Sequence, residues 1–286
     1  MSAGTAGNHR EREKGVLVYP VYSRRSGGLS VGINLFPDRK LCSFDCPYCE
    51  VFPFSGAQTF SLPLMEQALV EALAAASERG ITVKDICFSG NGEPTMSPEF
   101  PAALDAAFRV RNSDAPEAEV VLITNGSGLL NEALFDLLRR FAGSAADVGR
   151  SQGRGSPLGQ GLRIWLKLDA GTPAWYKEID RSSIPFERLT EKIRAFVKCA
   201  PVTLQTMICA INGMPPPPEE AHAWEALVAE LAFSAAELLE VQIYGKARPA
   251  PEDPLAACLP TAFLEARAAS IRAILAATDI PVRVYP

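Results

Sequence analysis

Short runs of β-branched and aliphatic residues alternate along this chain with longer stretches whose apolar positions recur every three or four residues. The short runs predict strands at 29–36 (LSVGINLF), 83–89 (VKDICFS), 119–124 (EVVLIT), 163–168 (RIWLKL), 202–211 (VTLQTMICAI) and 239–244 (LEVQIY). The longer stretches predict helices, each with one apolar face. Met65, Leu69, Ala72, Leu73 and Ala76 form one stripe, Leu134, Leu138 and Phe141 a second, and Phe186, Leu189, Ile193, Phe196 and Val197 a third. Trp224, Leu227, Val228 and Leu231 form a fourth, and Leu264, Ala268, Ile271 and Leu275 the last, ahead of a further strand at PVRVYP (281–286). Strand and helix in regular alternation imply parallel strands joined by right-handed crossovers. Either a doubly wound sheet or a full or partial βα barrel satisfies that pattern.

Some segments stand outside it. Residues 1–15 read as a flexible, charged tail, and the Gly/Ser-rich stretch 143–161 as a mobile loop inserted in one domain that runs from 16 to 286. GMPPPPEE (213–220) reads as a stiff connector. The 286 residues, 48% hydrophobic and 21% charged, suffice for a large core of ordinary globular composition. No apolar run reaches the roughly 18 residues of a membrane span and the N-terminus lacks the apolar core of a signal peptide, so a cytoplasmic protein is expected. A net charge of −5 gives no global pull toward nucleic acid. Seven cysteines without an export signal argue against disulfides and leave metal binding, catalysis or packing.

Chemistry in parallel βα folds gathers where the strands end at their C-termini. The segments after the six predicted strands are PDRKLCSFDCPYC, GNGEPT, NGSG, DAGT, NG and GKARPAPED, which puts Glu93, Asn125, Asp169, Asn212, Lys246 and Arg248 on one rim with three thiols. Those thiols, Cys42, Cys46 and Cys49, fall within eight residues, spaced C-x3-C-x2-C. Thiolates are soft ligands suited to zinc or iron–sulfur clusters. A structural zinc site is normally closed by four protein ligands. Here no fourth lies nearby, the two histidines are His9 and His222, and Cys87, Cys199, Cys209 and Cys258 are scattered and read as packing thiols. Three ligands with an open position suggest a catalytic metal centre that takes a small molecule.

The triplet, with Tyr48 just before its last cysteine, resembles the cluster loop of the radical S-adenosylmethionine superfamily, and Gly90-Asn91-Gly92-Glu93-Pro94 resembles that superfamily's glycine-glycine-glutamate motif. The resemblance implies an α/β fold of the partial (βα)6 TIM-like barrel type. It implies a [4Fe-4S] cluster on Cys42, Cys46 and Cys49, S-adenosyl-L-methionine as its ligand, and a reducing partner such as flavodoxin or ferredoxin. Residue by residue, it implies that Gly92 and Glu93 hold the methionine ammonium, with Gly90 of the same motif also at the cofactor. Thr124 and Asn125 then face ribose or the methionine carboxylate, Lys167 and Asp169 meet a carboxylate and a ribose hydroxyl or ammonium, the backbone of Tyr48 lies beside adenine and the segment from Ile208 to Ile211 flanks it. A narrower similarity, carried by VYSRRSGGLSVGINLFPDRKLCSFDCPYC, FSGNGEPT, KLDAGT and VQIYGKARP, is to the subgroup that includes the tRNA wyosine-base synthase, 4-demethylwyosine synthase. No cysteine precedes Cys42, so that synthase's auxiliary cluster has no ligands here.

The expected activity is reductive cleavage of S-adenosylmethionine to a radical that takes hydrogen from a polar or anionic small molecule held near Arg24, Arg25, Lys246 and Arg248, since guanidinium groups bind phosphate or carboxylate bidentately. Modification of a tRNA base is the alternative within the class, and a non-catalytic metal or iron–sulfur scaffold is the alternative outside it.

Overall fold

The structure, a computed structural model, describes residues 15–57, 59–143, 161–235, 237–252 and 255–286. The tail expected at 1–15 and the loop expected at 143–161 lie, but for their end glycines, outside the described residues. The chain divides into two compact units, Met1–Cys42 with Glu50–Ile123, and Ser43–Cys49 with Thr124–Pro286.

The first unit is built on strands β1 (Val18–Ser23), β2 (Gly28–Ile33), β3 (Val83–Phe88) and β4 (Glu119–Thr124), in that order, with helices α1 (Leu62–Glu78) and α2 (Phe100–Asp114). β2, β3 and β4 run parallel, as the alternation requires. β1 was not foreseen. It is an antiparallel edge strand on β2, from Val18 opposite Ile33 to Ser23 opposite Gly28. Pro20 in its middle hid it from the periodicity, and an edge position is where a strand tolerates proline. The pairing also explains Gly32: any Cβ there would lie 2.3 Å from the Tyr19 ring. Met65, Leu69, Leu73 and Ala76 of α1 are buried, as their stripe predicts. α2 is a second helix the periodicity did not disclose, because its buried face is made largely of Ala103, Ala106 and Ala107 around Leu104 and Phe108. Phe100 meets Phe88 edge to face at 5.5 Å, closing the helix on β3.

The second unit holds β5 (Leu162–Lys167), β6 (Val202–Ile208), β8 (Leu238–Gly245) and β10 (Val282–Tyr285), neighbours in that order and parallel throughout. β7 (Ala210–Ile211) and β9 (Ala256–Ala257) form a separate antiparallel pair. The strand expected over 202–211 therefore breaks at Cys209, where the chain leaves one sheet for the other. Helices α3 (Glu132–Ala142), α4 (Pro173–Ile179), α5 (Phe186–Val197), α6 (Pro218–Ser234) and α7 (Thr261–Ile274) complete the unit. The predicted stripes bury Leu189, Ile193 and Phe196 of α5, Trp224, Val228 and Leu231 of α6 and Leu264, Ala268 and Ile271 of α7. Each large side chain contributes about 1.5–3 kcal/mol relative to exposure. Trp224 also donates its indole N–H to Leu168 O and Thr206 Oγ1, both at 3.1 Å, which fixes α6 against the ends of β5 and β6. Among the described residues no helix is long and apolar enough to cross a membrane.

Candidate active site

The glycine-rich motif after β3 is bound to the segment that leads into the first cysteine. Leu41 N–H donates to Asn91 O at 3.1 Å and Glu93 N–H donates to Leu41 O at 2.9 Å, a parallel bridge between Leu41 and Gly92. Gly92 is required by this approach, since a Cβ would sit 1.9 Å from Leu41 O. Asn34, at the end of β2, accepts from the backbone N–H groups of Phe36 and Asn91 at 3.1 and 3.2 Å, and Asn91 Nδ2 donates to Phe36 O at 3.0 Å. Gly90 has φ +134°, a conformation open to glycine, directly over Asn34 Oδ1. Glu93 is buried, and its Oε1 accepts from Thr95 N and Thr95 Oγ1 at 3.2 and 2.6 Å, capping the turn Pro94–Met96.

In the second unit the rest of the cysteine loop meets β5. Tyr48 is buried, with its hydroxyl donating to Asp169 Oδ2 and accepting from Lys167 Nζ. Lys167 Nζ pairs with Asp169 Oδ2 at 2.9 Å, lies 4.6 Å from the centre of the Tyr48 ring and 4.0 Å from Cys46 Sγ. Asp169 Oδ1 accepts from Met207 N–H at 2.8 Å. Cys46 Sγ donates to Asp180 Oδ1 at 3.7 Å, and Asp45 N–H donates to Asp180 O at 3.0 Å. The resemblance grouped Tyr48, Lys167 and Asp169 around one cofactor, and the structure joins them into one hydrogen-bonded cluster with Cys46.

Thr124 and Asn125 end β4 with hydrogen bonds of their own, one of which reaches this loop. Thr124 Oγ1 accepts from Gly126 N–H at 3.1 Å. Asn125 Nδ2 donates to Ser43 Oγ at 3.0 Å, and Ser43 Oγ donates to Ser127 Oγ at 2.7 Å, so Asn125 and Ser127 position the start of the cysteine loop. Ile208 is buried at the end of β6, Lys246 is buried just beyond β8, and Arg248 is half-buried on the same segment. Arg24 and Arg25 are a correction. They form the turn between β1 and β2, next to the pair Ser23–Gly28, at the opposite end of β2 from Asn34 and the glycine motif. A six-residue strand spans about 20 Å, so these guanidiniums do not line the site. Their placement became visible only once β1 was known to fold back. Cys87 and Cys209 are buried, as packing thiols should be, and burial pushes Cys209 up to about 12. Cys199 and Cys258 are exposed, which the packing reading did not anticipate.

Two members of the cluster were missed. Asp180 follows the short helix α4, whose cap, Thr172 Oγ1 accepting from Trp175 N–H at 3.2 Å ahead of Pro173, was the available signal. Ser43 carried no signal beyond its place beside Cys42. Burial pushes the Cys46 thiol up, opposed by Lys167 and reinforced by Asp180 and Asp169. Burial raises the Asp180 carboxyl too, with Asp169 adding to it. For Lys167, burial works against the charge, but Asp169 and the acidic groups around it prevail and hold the ammonium above its usual range.

Among the described residues no three His, Cys, Asp or Glu side chains converge as a bound metal ion would need. The donor set nevertheless fits an iron–sulfur cluster: three soft thiols on one eight-residue loop, with Lys167 beside the buried one to offset negative charge.

No protein-family model matches the chain. Two curated relatives, both named UPF0026 protein, come from Helicobacter pylori strains ATCC 700392 / 26695 and J99 / ATCC 700824. They are 34% and 32% identical over 82 residues, a match covering 28% of this chain and 26% of each relative's length. Solved structures are similar over far more of the chain. A radical SAM methyltransferase from Sphaerobacter thermophilus superposes with a TM-score of 0.62 at 16% identity, covering 93% of this chain and 67% of its own. Streptococcus suis SuiB bound to S-adenosylmethionine gives 0.59 at 11% identity, covering 88% and 49%. The chain has their fold. It is the α/β, TIM-like partial-barrel class that the sequence led us to expect.

Proposed function

We propose that this chain is a radical S-adenosylmethionine enzyme, with Cys42, Cys46 and Cys49 as ligands of a [4Fe-4S] cluster. The observation that carries the reading is the in-register pairing of Leu41 with Gly92, which binds the residue before the first cysteine to the motif ending in Glu93. When bound, the cluster would supply the electron that cleaves S-adenosylmethionine to methionine and a 5′-deoxyadenosyl radical, which takes a hydrogen atom from the substrate. The chain's residues do the rest. Backbone carbonyls around Gly92 and the Glu93 carboxylate complement an ammonium group. Asp169, held by Lys167, Tyr48 and the Met207 N–H, presents a fixed carboxylate to a hydroxyl or ammonium. The backbone at Tyr48 and the segment from Ile208 to Ile211 would flank a purine. The fold's likeness to radical SAM enzymes supports this reading.

The test is anaerobic reconstitution with iron and sulfide, followed by reduction with dithionite in the presence of S-adenosylmethionine. The expected outcome is brown protein with about four irons per chain and release of 5′-deoxyadenosine. Replacing Cys42, Cys46 and Cys49 together by alanine should abolish both. A colourless zinc protein would point to the scaffold alternative, and 5′-deoxyadenosine release by the triple variant would show the loop to be misassigned.

A further inference from the structure

The second unit carries a line of polar side chains that the proposed chemistry does not use. On β6, Thr206 turns its hydroxyl to Trp224 of α6, so Gln205 and Met207 lie on the other face of the sheet. Gln205 is opposite Lys167 on β5 and Gln242 on β8, and Gln242 is opposite Arg283 on β10. One rung of the sheet therefore reads Lys167, Gln205, Gln242, Arg283 across four strands. Gln205 and Gln242 are 0% and 1% exposed, a degree of burial rare for glutamine.

Hydrogen bonds order these groups with a direction. Arg283 Nη1 donates to Glu240 Oε1 at 2.7 Å. Glu240, ion-paired and able only to accept, takes Gln242 Nε2 at 2.8 Å. That choice leaves the oxygen of Gln242 to face Gln205, whose Nε2 donates to it at 2.7 Å. The carboxylate thus dictates the orientation of both amides, and among the described residues the last acceptor, Gln205 Oε1, is buried without a hydrogen-bond partner. A buried carbonyl left so is costly, and proteins rarely keep one without a use. Its rung neighbour Lys167 belongs to the Tyr48–Asp169 cluster, and Met207, two residues on, donates its N–H to Asp169.

We propose that Gln205 Oε1 is the substrate-recognising acceptor of this site and that it takes an N–H or O–H from a small molecule carrying no negative charge at that end. This rests on the radical-enzyme reading and adds the substrate class to it. Charge selects against an anion. The two cations of the rung are each committed, Lys167 to Asp169 at 2.9 Å and Arg283 to Glu240 at 2.7 Å. An anionic group would meet a carbonyl oxygen backed by a carboxylate. A hydroxyl, amide or ammonium would complete the chain instead, and a site built around such an acceptor discriminates strongly against molecules that lack the donor.

The experiment uses the full chain, reconstituted and reduced, with S-adenosylmethionine and the small-molecule extract of the source organism grown in deuterium oxide, split on an anion exchanger. Deuterium per molecule of 5′-deoxyadenosine is read by mass spectrometry. Label is expected from the unretained fraction, and Gln205→Leu should lower the label per 5′-deoxyadenosine by at least about 100-fold. Gln242→Leu, which cuts the chain but leaves the acceptor, should lower it less. Circular dichroism and iron content report whether each variant folds, and Gln205→Met replaces the leucine variant if that one does not. Label from the retained fraction alone, no label from any fraction, equal loss in the two variants, or full labelling by Gln205→Leu, as a bridging water would give, each overturns the proposal. No 5′-deoxyadenosine from the wild type would instead defeat the radical-enzyme reading itself.

Discussion

At the scale of single residues, the site depends on close approaches and buried charges whose removal has calculable consequences. Gly92→Ala places a methyl group against Leu41 O, a backbone atom that cannot yield without moving the residue before Cys42. The expected loss is about 1–3 kcal/mol in a urea titration, together with reduced iron incorporation. Lys167→Met leaves Asp169 buried next to Asp180 without its cation, and breaking such a pair typically costs about 3–5 kcal/mol. Urea unfolding and equilibrium dialysis with S-adenosylmethionine check it, with weaker binding expected alongside lower stability. Unchanged binding would remove Lys167 and Asp169 from the cofactor site. Asp169 was legible in the sequence because it sits at a strand end, and Tyr48 and Lys167 because their motifs resemble a known family's. Asp180 was not, because its importance comes from a contact with a residue 134 positions away.

At the scale of elements, the start of α6 and the turn after β5 hold each other. Glu220, in the first turn of α6, accepts from Gly171 N–H at 2.6 Å and from Thr172 Oγ1 at 2.5 Å, while a Cβ on Gly171 would lie 2.1 Å from Trp224 N. Glu220→Ala should cost about 1–3 kcal/mol by leaving those donors unpaired. Gly171→Ala, colliding with helix backbone, should lower the melting temperature further, and thermal unfolding followed by circular dichroism ranks the two. The elements that escaped sequence analysis share a cause. β1 carries a proline, α2 an alanine-rich face and α4 spans only two turns, so none offers the periodic contrast on which the reading relies. The long stripes of α1, α5, α6 and α7 offer it and were correctly located.

For the whole molecule, stability at neutral pH carries a cost from Asp85 of β3, buried beside Ser30 of β2, whose Oγ donates to it at 2.5 Å. Burial raises its carboxyl, with the Ser26 and Ser30 hydrogen bonds opposing. A raised folded-state value means that the folded chain binds the proton more tightly. This stabilisation is complete below the unfolded value of about 3.9 and is lost as pH rises through the folded one. Asp85→Asn should therefore raise the melting temperature at pH 7, and the gain should vanish as pH falls below about 4. An equal gain at both pH values would assign the effect to packing. By itself the sequence determined the order of strands and helices, the loop bearing three thiols and the glycine motif that follows, because periodicity and spacing are properties of neighbours along the chain. Only the tertiary structure decided that Arg24 and Arg25 lie at the far end of β2, that Asn125 serves Ser43, and that Gln205 ends a chain of oriented amides. Those are facts of register and burial, set when strands distant in sequence pair and close polar groups away from water.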